Sequence, residues 1–379
     1  MTNSWKERGG ESRNRIVWPA LLIGAAISVA LMRSGFLAFF FLCPLGFVAA
    51  VYGRPSAWGA SVLAAVMDLI LLSIVIFHAG GTFGDALPGF VYFAVMILLF
   101  LWIMAPPFSG PAVLRVRTAC RFAGASVIAA LTLFLMVFAS GDGGGFFAFL
   151  RAQAEVISAL FVSSAGADTA RRALLEETAS PGRIMEFIQS ISLRGGAVAS
   201  CMLLFFINHQ LSLTGAGMVW RRRLAAAVAR GERGPQGPKD DPADTRNSSG
   251  PKNFNATRGA GGLRSFHLPG SVIWILSFSI LAVVLTEITG LSVPGIAAWN
   301  AFVICGLMYL AQGAGIVLYF LSRRGPLMRL AMNILIAVMI FSPGINAFAL
   351  GVLVLLGIAE NWLPLRAPKT DGSVPTPGP

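Results

Sequence analysis

Six polar side chains interrupt long apolar stretches of this 379-residue sequence, and their types make them the candidates for chemistry. Carboxylate, imidazole and amide groups are costly inside a membrane, so they often mark a site for a ligand or an ion. Asp68 lies near the centre of its apolar stretch, whereas Glu287 lies near the end of another. The six candidates are Asp68, Asn208, His209, Glu287, Tyr309 and Gln312.

Two interpretations of these residues are open. In the first, they meet in a ligand-binding polar site at the middle of the membrane, with Glu287 at its outer mouth. In the second, they hydrogen-bond between neighbouring helices, which is the commoner role of Asn, Gln and His in membrane spans. Asp68 should be protonated or partnered, and depth along the apolar stretches favours His209 or an amide such as Gln312 as its partner.

The sequence has no motif typical of catalysis. It lacks a nucleophile elbow, a phosphate-binding loop, a run of metal ligands and a pair of carboxylates at catalytic spacing. The four cysteines fall in four separate apolar stretches, without the spacing of a disulfide framework or a zinc site. We therefore expect no enzymatic activity, no catalytic residue, no metal and no cofactor.

Composition indicates a membrane protein. Hydrophobic residues make up 56% of the chain and charged residues 12%, against about 25% charged in typical soluble domains. The net charge of +12 comes from arginines that cluster beside the apolar stretches. That pattern is typical of anchoring at the cytoplasmic face and not of nucleic-acid binding, so the predicted partner is the lipid bilayer.

The apolar stretches predict an all-α fold, a polytopic transmembrane helix bundle of about ten spans. Most are long enough to cross about 30 Å of hydrocarbon at about 1.5 Å per residue. Residues 16–140 hold spans one to five, residues 196–219 hold span six, and residues 270–363 hold spans seven to ten. The last two apolar stretches are short enough for a re-entrant hairpin to be the alternative. The predicted spans are Ile16–Met32, Phe36–Tyr52, Ala57–His78, Leu87–Met104, Phe122–Ser140, Gly196–Val219, Ser271–Gly290, Ile296–Leu321, Leu327–Phe341 and Ile345–Ala359.

The remaining segments are polar or amphipathic. Residues 141–195 carry apolar residues at helical spacing between charges, which predicts extracytoplasmic amphipathic helices. Residues 220–269 are basic and rich in Gly, Pro, Asn and Ser, which predicts a disordered cytoplasmic loop. Residues 1–15 and 364–379 are the predicted cytoplasmic N-terminus and tail.

The distribution of Lys and Arg predicts the orientation. With the N-terminus inside, the inside connections carry most of the basic residues, including Arg221–Arg223 and the pair Arg323 and Arg324. Arg33 is the exception among the short outside connections. Since basic residues near span ends stay in the cytoplasm, both termini are predicted to lie inside.

Several short motifs resemble those of the YybS-like bacterial membrane proteins. They are Pro44-Leu45-Gly46, Tyr52-Gly53, Phe266-His267-Leu268-Pro269, Gln312, Arg323-Arg324-Gly325-Pro326 and the ending Leu356-Gly357-Ile358-Ala359-Glu360-Asn361-Trp362-Leu363-Pro364-Leu365-Arg366. That family usually ends in a Gly-hydrophobic-x-Asp-x-Trp pattern followed by an aromatic and basic residues, so Glu360-Asn361 is a departure from it. The family looks distantly related to the substrate-binding subunits of energy-coupling-factor vitamin transporters and to MreD-like cell-shape proteins. The resemblance implies a multi-pass protein of the bacterial cytoplasmic (inner) membrane, with no catalytic residues to carry over.

Two classes of function follow. The favoured one is a transporter-like subunit that binds a small-molecule solute in a midplane polar pocket and works with an energising module. The alternative is a cell-envelope scaffold that binds other membrane proteins through the amphipathic segment and the basic loop, with no ligand.

Overall fold

The structure is a computed structural model that describes residues 4–34, 36–79, 83–105, 111–139, 144–163, 169–229, 266–325, 328, 345–363 and 365–366. The chain divides into two compact units, Met1–Asn253 and Phe254–Pro379. Every regular element in the described ranges is helical, which confirms the predicted all-α class.

The first unit is built around a short buried helix. This helix, α2, packs against α1, α3, α4 and α9, and Leu42, Leu45 and Val48 are buried there. The rings of Phe100 and Phe205 stack beside it. The helices of the unit are α1 (Ser4–Arg33), α2 (Cys43–Tyr52), α3 (Arg54–Ala79), α4 (Phe83–Met104), α5 (Pro111–Ala139), α6 (Gly144–Ser163), α7 (Thr169–Thr178), α8 (Pro181–Ile191) and α9 (Ala197–Ala229).

The second unit contains three described helices, α10 (Ser271–Thr289), α11 (Ser292–Ser322) and α12 (Ile345–Ala359). α11 packs against both α10 and α12. Residues 266–269, which have no regular secondary structure, precede α10.

The helices confirm a multi-pass membrane protein. Within the described ranges six helices are long and apolar enough to span a bilayer, and they correspond to the third to eighth predicted spans. Three shorter apolar helices, Trp18–Arg33, Leu37–Tyr52 and Asn346–Ala359, correspond to the first, second and tenth. The ninth predicted span lies outside the described residues, apart from Met328. The number of crossings and their orientation stay predictions.

The second predicted span is interrupted. A 3₁₀ turn covers Phe36–Phe40, a turn follows at residues 41–42, and only Cys43–Tyr52 is α-helical. Pro44 favours the interruption, because it lies in the first turn of α2, where its missing N–H is harmless, and that missing N–H removes a hydrogen bond that would continue the preceding turn. Ten residues extend about 15 Å, roughly half of the hydrocarbon layer.

Other predicted boundaries also shift. α1 begins at Ser4, inside the segment predicted as a polar N-terminus. α9 continues to Ala229, so residues 220–229 are helical and were wrongly assigned to the disordered loop. The end of span six was predicted at Val219 because Arg221–Arg223 follow it. A helix can nevertheless continue beyond the membrane and include these arginines. Residues 230–265, most of the predicted loop, and residues 367–379 of the predicted tail lie outside the described ranges.

The predicted amphipathic segment contains α6, α7 and α8. α8 has no buried residue, and its Phe187 side chain is exposed. A kink within Ser192–Gly196, where Arg194 and Gly195 have non-helical backbone angles, joins α8 to α9. Gly195 adopts a positive φ of 112° at this kink, a conformation that favours glycine.

α11 and α12 touch backbone to backbone at two glycines. A Cβ atom added to Gly313 would lie 1.9 Å from the carbonyl oxygen of Leu353, and one added to Gly357 would lie 2.1 Å from that of Tyr309. Small residues of this kind permit close approach of membrane helices. Any side chain here would therefore have to push the helices apart.

We predict that Gly313→Ala and Gly357→Ala each lower the stability of the solubilised protein by at least about 1–3 kcal/mol, the usual cost of overpacking. The matched controls are Gly306→Ala on α11 and Gly351→Ala on α12, where an added Cβ meets nothing within 4 Å. Alanine is the better helix former, so the controls should be neutral or slightly stabilised. Equal melting temperatures for all four variants in detergent would contradict the close crossing.

Candidate functional site

Asp68 is buried and forms an ion pair with Arg33. The Asp68 side chain is 2% exposed, whereas that of Arg33 is 42% exposed. Arg33 Nε donates to Asp68 Oδ1 at 2.9 Å, and Arg33 Nη2 lies 2.6 Å from the same oxygen. The carboxylate is thus partnered and faces protein, as its cost in a membrane requires.

The expected partner of Asp68, His209 or an amide, was wrong. Arg33 is the last residue of α1, and α1 packs against α3 so that its end lies level with the middle of α3. α3 continues from Asp68 to Ala79, roughly 16 Å at about 1.5 Å per residue. Arg33 was predicted to lie in an outside connection, because the end of the first apolar stretch was taken to mark the edge of the membrane.

Side chains of α1 and α9 bond the carbonyl groups around the interrupted segment. Ser28 Oγ donates to the carbonyl oxygen of Phe41 at 2.5 Å. Asn208 Nδ2 donates to Phe39 at 2.7 Å, and Ser212 Oγ donates to Cys43 at 2.9 Å. The last two donors also bond carbonyl groups of their own helix, Leu204 and Asn208 respectively. These side chains satisfy backbone acceptors that a membrane interior could not hydrate.

The neighbouring residues Asn208 and His209 have different surroundings. Asn208 is fully buried, and its Oδ1 atom has no hydrogen-bond partner among the described residues. The ring of His209 packs edge-on against Phe122, with 5.3 Å between ring centroids. Adjacent residues of a helix point about 100° apart. The predicted pair is therefore one backbone-bonding amide and one ring packed toward α5.

Both ends of the Gln312 amide are occupied in the second unit. Its Oε1 accepts a hydrogen bond from the backbone N–H of Leu268 at 2.7 Å, and its Nε2 donates to the carbonyl oxygen of Gly357 at 3.0 Å. The side chain is fully buried. Gln312 thereby ties α11 to α12 and to the chain that enters α10.

Tyr309 and Glu287 also have partners in this unit. Asn361 Nδ2 donates to the Tyr309 hydroxyl at 3.3 Å. Trp299 Nε1 donates to Glu287 Oε1 at 3.0 Å in an exposed contact. Asp68, Asn208 and His209 thus belong to the first unit, and Glu287, Tyr309 and Gln312 to the second. That all six line one site stays a prediction.

A buried ionic cluster in the second unit was missed. Glu360 is buried, and both its carboxylate oxygens bond Arg366, with Nε to Oε1 at 2.5 Å. Arg366 Nη2 donates to the carbonyl oxygen of Phe266 at 2.6 Å, and His267 Nδ1 lies 3.6 Å from Glu360 Oε2. The signal was an acid at the end of an apolar stretch followed six residues later by an arginine. These residues carried the resemblance but were not considered as a set.

The described residues contain no group of three or more His, Cys, Asp or Glu side chains placed to hold a metal ion. The polar groups of the two units can bind a ligand through hydrogen bonds and charge. The first unit combines a part-exposed guanidinium, a buried carboxylate and a buried amide oxygen with a free acceptor position.

We predict that Arg33→Met destabilises the protein by on the order of 3 kcal/mol, because it leaves the buried Asp68 carboxylate without its charge partner. Asp68→Asn should cost only about 1 kcal/mol, since the amide keeps the shape and an acceptor. The double variant should recover most of the loss. Unfolding in detergent micelles, with Ser73→Ala on the exposed side of α3 as the control, measures these differences. Additive single effects would mean that the pair does not couple.

Comparison with known proteins gives one family match. Residues 256–359 match a family model described as "Predicted membrane protein (DUF2232)". This range covers α10, α11 and α12 together with Leu268, Gln312 and Gly357, but stops just before Glu360 and Arg366. No curated protein and no solved structure matches the chain significantly. The second unit is therefore similar to a family of membrane proteins.

Proposed function

We propose that this protein is a transporter-like subunit of a bacterial cytoplasmic membrane that binds a small-molecule solute in its first unit. The observation that carries the proposal is the interruption of the apolar segment Phe36–Tyr52, followed by the half-length helix α2. Irregular backbone at membrane depth is tolerated only where protein buries it or where it lines a cavity. In many transporters such discontinuous helices form the solute site.

The polar groups near the interruption support this location. Arg33 precedes the 3₁₀ turn at Phe36–Phe40 by only a few residues and bonds Asp68. Asn208 bonds the carbonyl oxygen of Phe39, and its own Oδ1 atom has no hydrogen-bond partner in the part of the chain that the structure describes. We assign Arg33 to solute recognition, Asp68 to positioning the Arg33 guanidinium, and Asn208 to holding the interrupted backbone.

The second unit has a different role in this proposal. Gln312 and Tyr309 bond partners within the unit, and two glycines bring α11 and α12 together. Such a rigid unit suits docking to an energising module in the membrane. The resemblance to the YybS-like proteins, and through them to energy-coupling-factor subunits, supports a partnership with an energising module. No covalent chemistry is part of the proposed function.

The alternative function, a cell-envelope scaffold like MreD, is favoured by α8. This helix buries no residue and exposes Phe187 and Ile191. An exposed apolar face of that kind suits a membrane surface or a partner protein. A scaffold needs no solute, so a search for a bound solute separates the two functions.

We predict that protein purified gently into lipid nanodiscs retains a small molecule that mass spectrometry of the extract detects. The Arg33→Gln/Asp68→Asn double variant keeps the pair neutral and should retain less than about a tenth as much. Ser73→Ala is the matched control, because Ser73 lies on the same helix and bonds the carbonyl oxygen of Leu69 within it, and this variant should retain the wild-type amount.

Two results together would contradict the proposal. One is the absence of any retained molecule from the wild-type extract. The other is the absence of thermal stabilisation by any member of a vitamin and metabolite panel. Co-purification of envelope proteins with such a solute-free sample would favour the scaffold.

A further inference from the structure

We propose that Arg33 is the receptor for an anionic oxygen group, a carboxylate or a phosphate, on the bound molecule. This inference rests on the proposed function, because it names the chemical class that the first unit recognises. Asp68 is a positioning residue in this arrangement, since it contacts the guanidinium and not the ligand.

The hydrogen bonds of Arg33 leave one edge of its guanidinium available. Nε and Nη2 both point to a single oxygen, Asp68 Oδ1. The guanidinium has five N–H groups, so Nη1 and the second N–H of Nη2 have no partner among the described residues. These two groups form the planar fork that binds a carboxylate or a phosphate through two parallel hydrogen bonds.

Asp68 and Arg33 differ in exposure. A receptor for an anion needs an accessible guanidinium, and the carboxylate that positions it can be buried. The Asp68 side chain is 2% exposed and that of Arg33 is 42% exposed. The carboxylate therefore holds one edge of the guanidinium, and the Arg33 side chain remains partly exposed.

The depth of Arg33 beside α3 makes it costly to leave the second edge of its guanidinium without a hydrogen-bond acceptor. Beyond Asp68, α3 still exposes an apolar surface that includes Leu71, Ile74, Val75 and Phe77. The level of Arg33 thus lies within the apolar layer. A part-exposed guanidinium at that depth needs water or an anion beside it, because hydrocarbon cannot solvate the charge.

Neutralising Asp68 should strengthen anion binding. The Asp68 carboxylate offsets the charge that an anion would meet at Arg33. Asp68→Asn removes this negative charge while an amide oxygen can still accept the hydrogen bonds from Arg33. The substitution removes the repulsion between the Asp68 carboxylate and the bound anion, and the repulsion between two unit charges about 4 Å apart, even at the dielectric constant of water, corresponds to an affinity change of about fivefold.

The test measures the melting temperature of the full chain in neutral detergent as inorganic phosphate is added, with chloride at matched ionic strength as the reference. The wild type should show a saturable rise above chloride. Asp68→Asn should reach half of its rise at about one fifth of the phosphate concentration. The Arg33→Gln/Asp68→Asn double variant, which stays neutral and so should stay folded, should respond to phosphate as to chloride. Arg33→Lys should need roughly tenfold more phosphate, because lysine lacks the fork.

Nanodiscs distinguish the two sources of the anion. Replacing phosphatidylcholine with phosphatidylglycerol should abolish the phosphate response if a lipid headgroup occupies Arg33, and leave it intact if the ligand is a soluble solute. Both results support an anion receptor. An equal phosphate response in the wild type and the double variant, or no response in any variant, would overturn it.

Failure of this inference remains distinct from failure of the proposed function. A neutral solute in the wild-type extract, retained equally by the Arg33→Gln/Asp68→Asn double variant, would leave solute binding standing and remove the anion receptor. Absence of any solute would count against both.

Discussion

The need to bond every backbone polar group at membrane depth is the constraint on which the first unit depends. Pro44 favours an interruption of the second apolar segment, which leaves carbonyl groups around the interruption. Ser28 from α1, with Asn208 and Ser212 from α9, donates to those groups. The position of α2 among its neighbours, the burial of Asn208 and the end of α1 beside α3 all fit this single requirement.

The second unit meets the same constraint with other side chains. The N–H of Leu268 and the carbonyl oxygen of Gly357 belong to different segments, and one amide, Gln312, bonds both. The close crossing of α11 and α12 brings Gly357 within reach of this amide. Glu360 and Arg366 then join the chain after α12 to the carbonyl oxygen of Phe266. The unit is thereby closed by hydrogen bonds between segments that are far apart in sequence.

The sequence predicted the helical segments well because apolar length and composition decide them locally. It also predicted that Asp68 would be partnered, since the cost of a buried carboxylate holds in any fold. It could not predict Arg33 as the partner, because the level at which one helix ends beside another depends on packing. Glu360 and Arg366 were missed for a related reason: their bonds run partly to Phe266, which lies 100 residues away from Arg366. The interruption before Pro44 was not predicted, because the apolar composition of residues 36–52 is that of one continuous span.

The most direct measurement is the free energy of unfolding in detergent micelles for variants that remove the donors to the interrupted backbone. Asn208→Leu and Ser212→Ala remove the side-chain donors to the carbonyl oxygens of Phe39 and Cys43 respectively, and each should cost about 0.5–1.5 kcal/mol, the usual net contribution of one hydrogen bond. Thr214→Val on the same helix removes an exposed hydroxyl that bonds only its own helix and should cost little. If the two buried variants were as stable as Thr214→Val, the interrupted segment would not depend on these bonds, and the account of the first unit would be wrong.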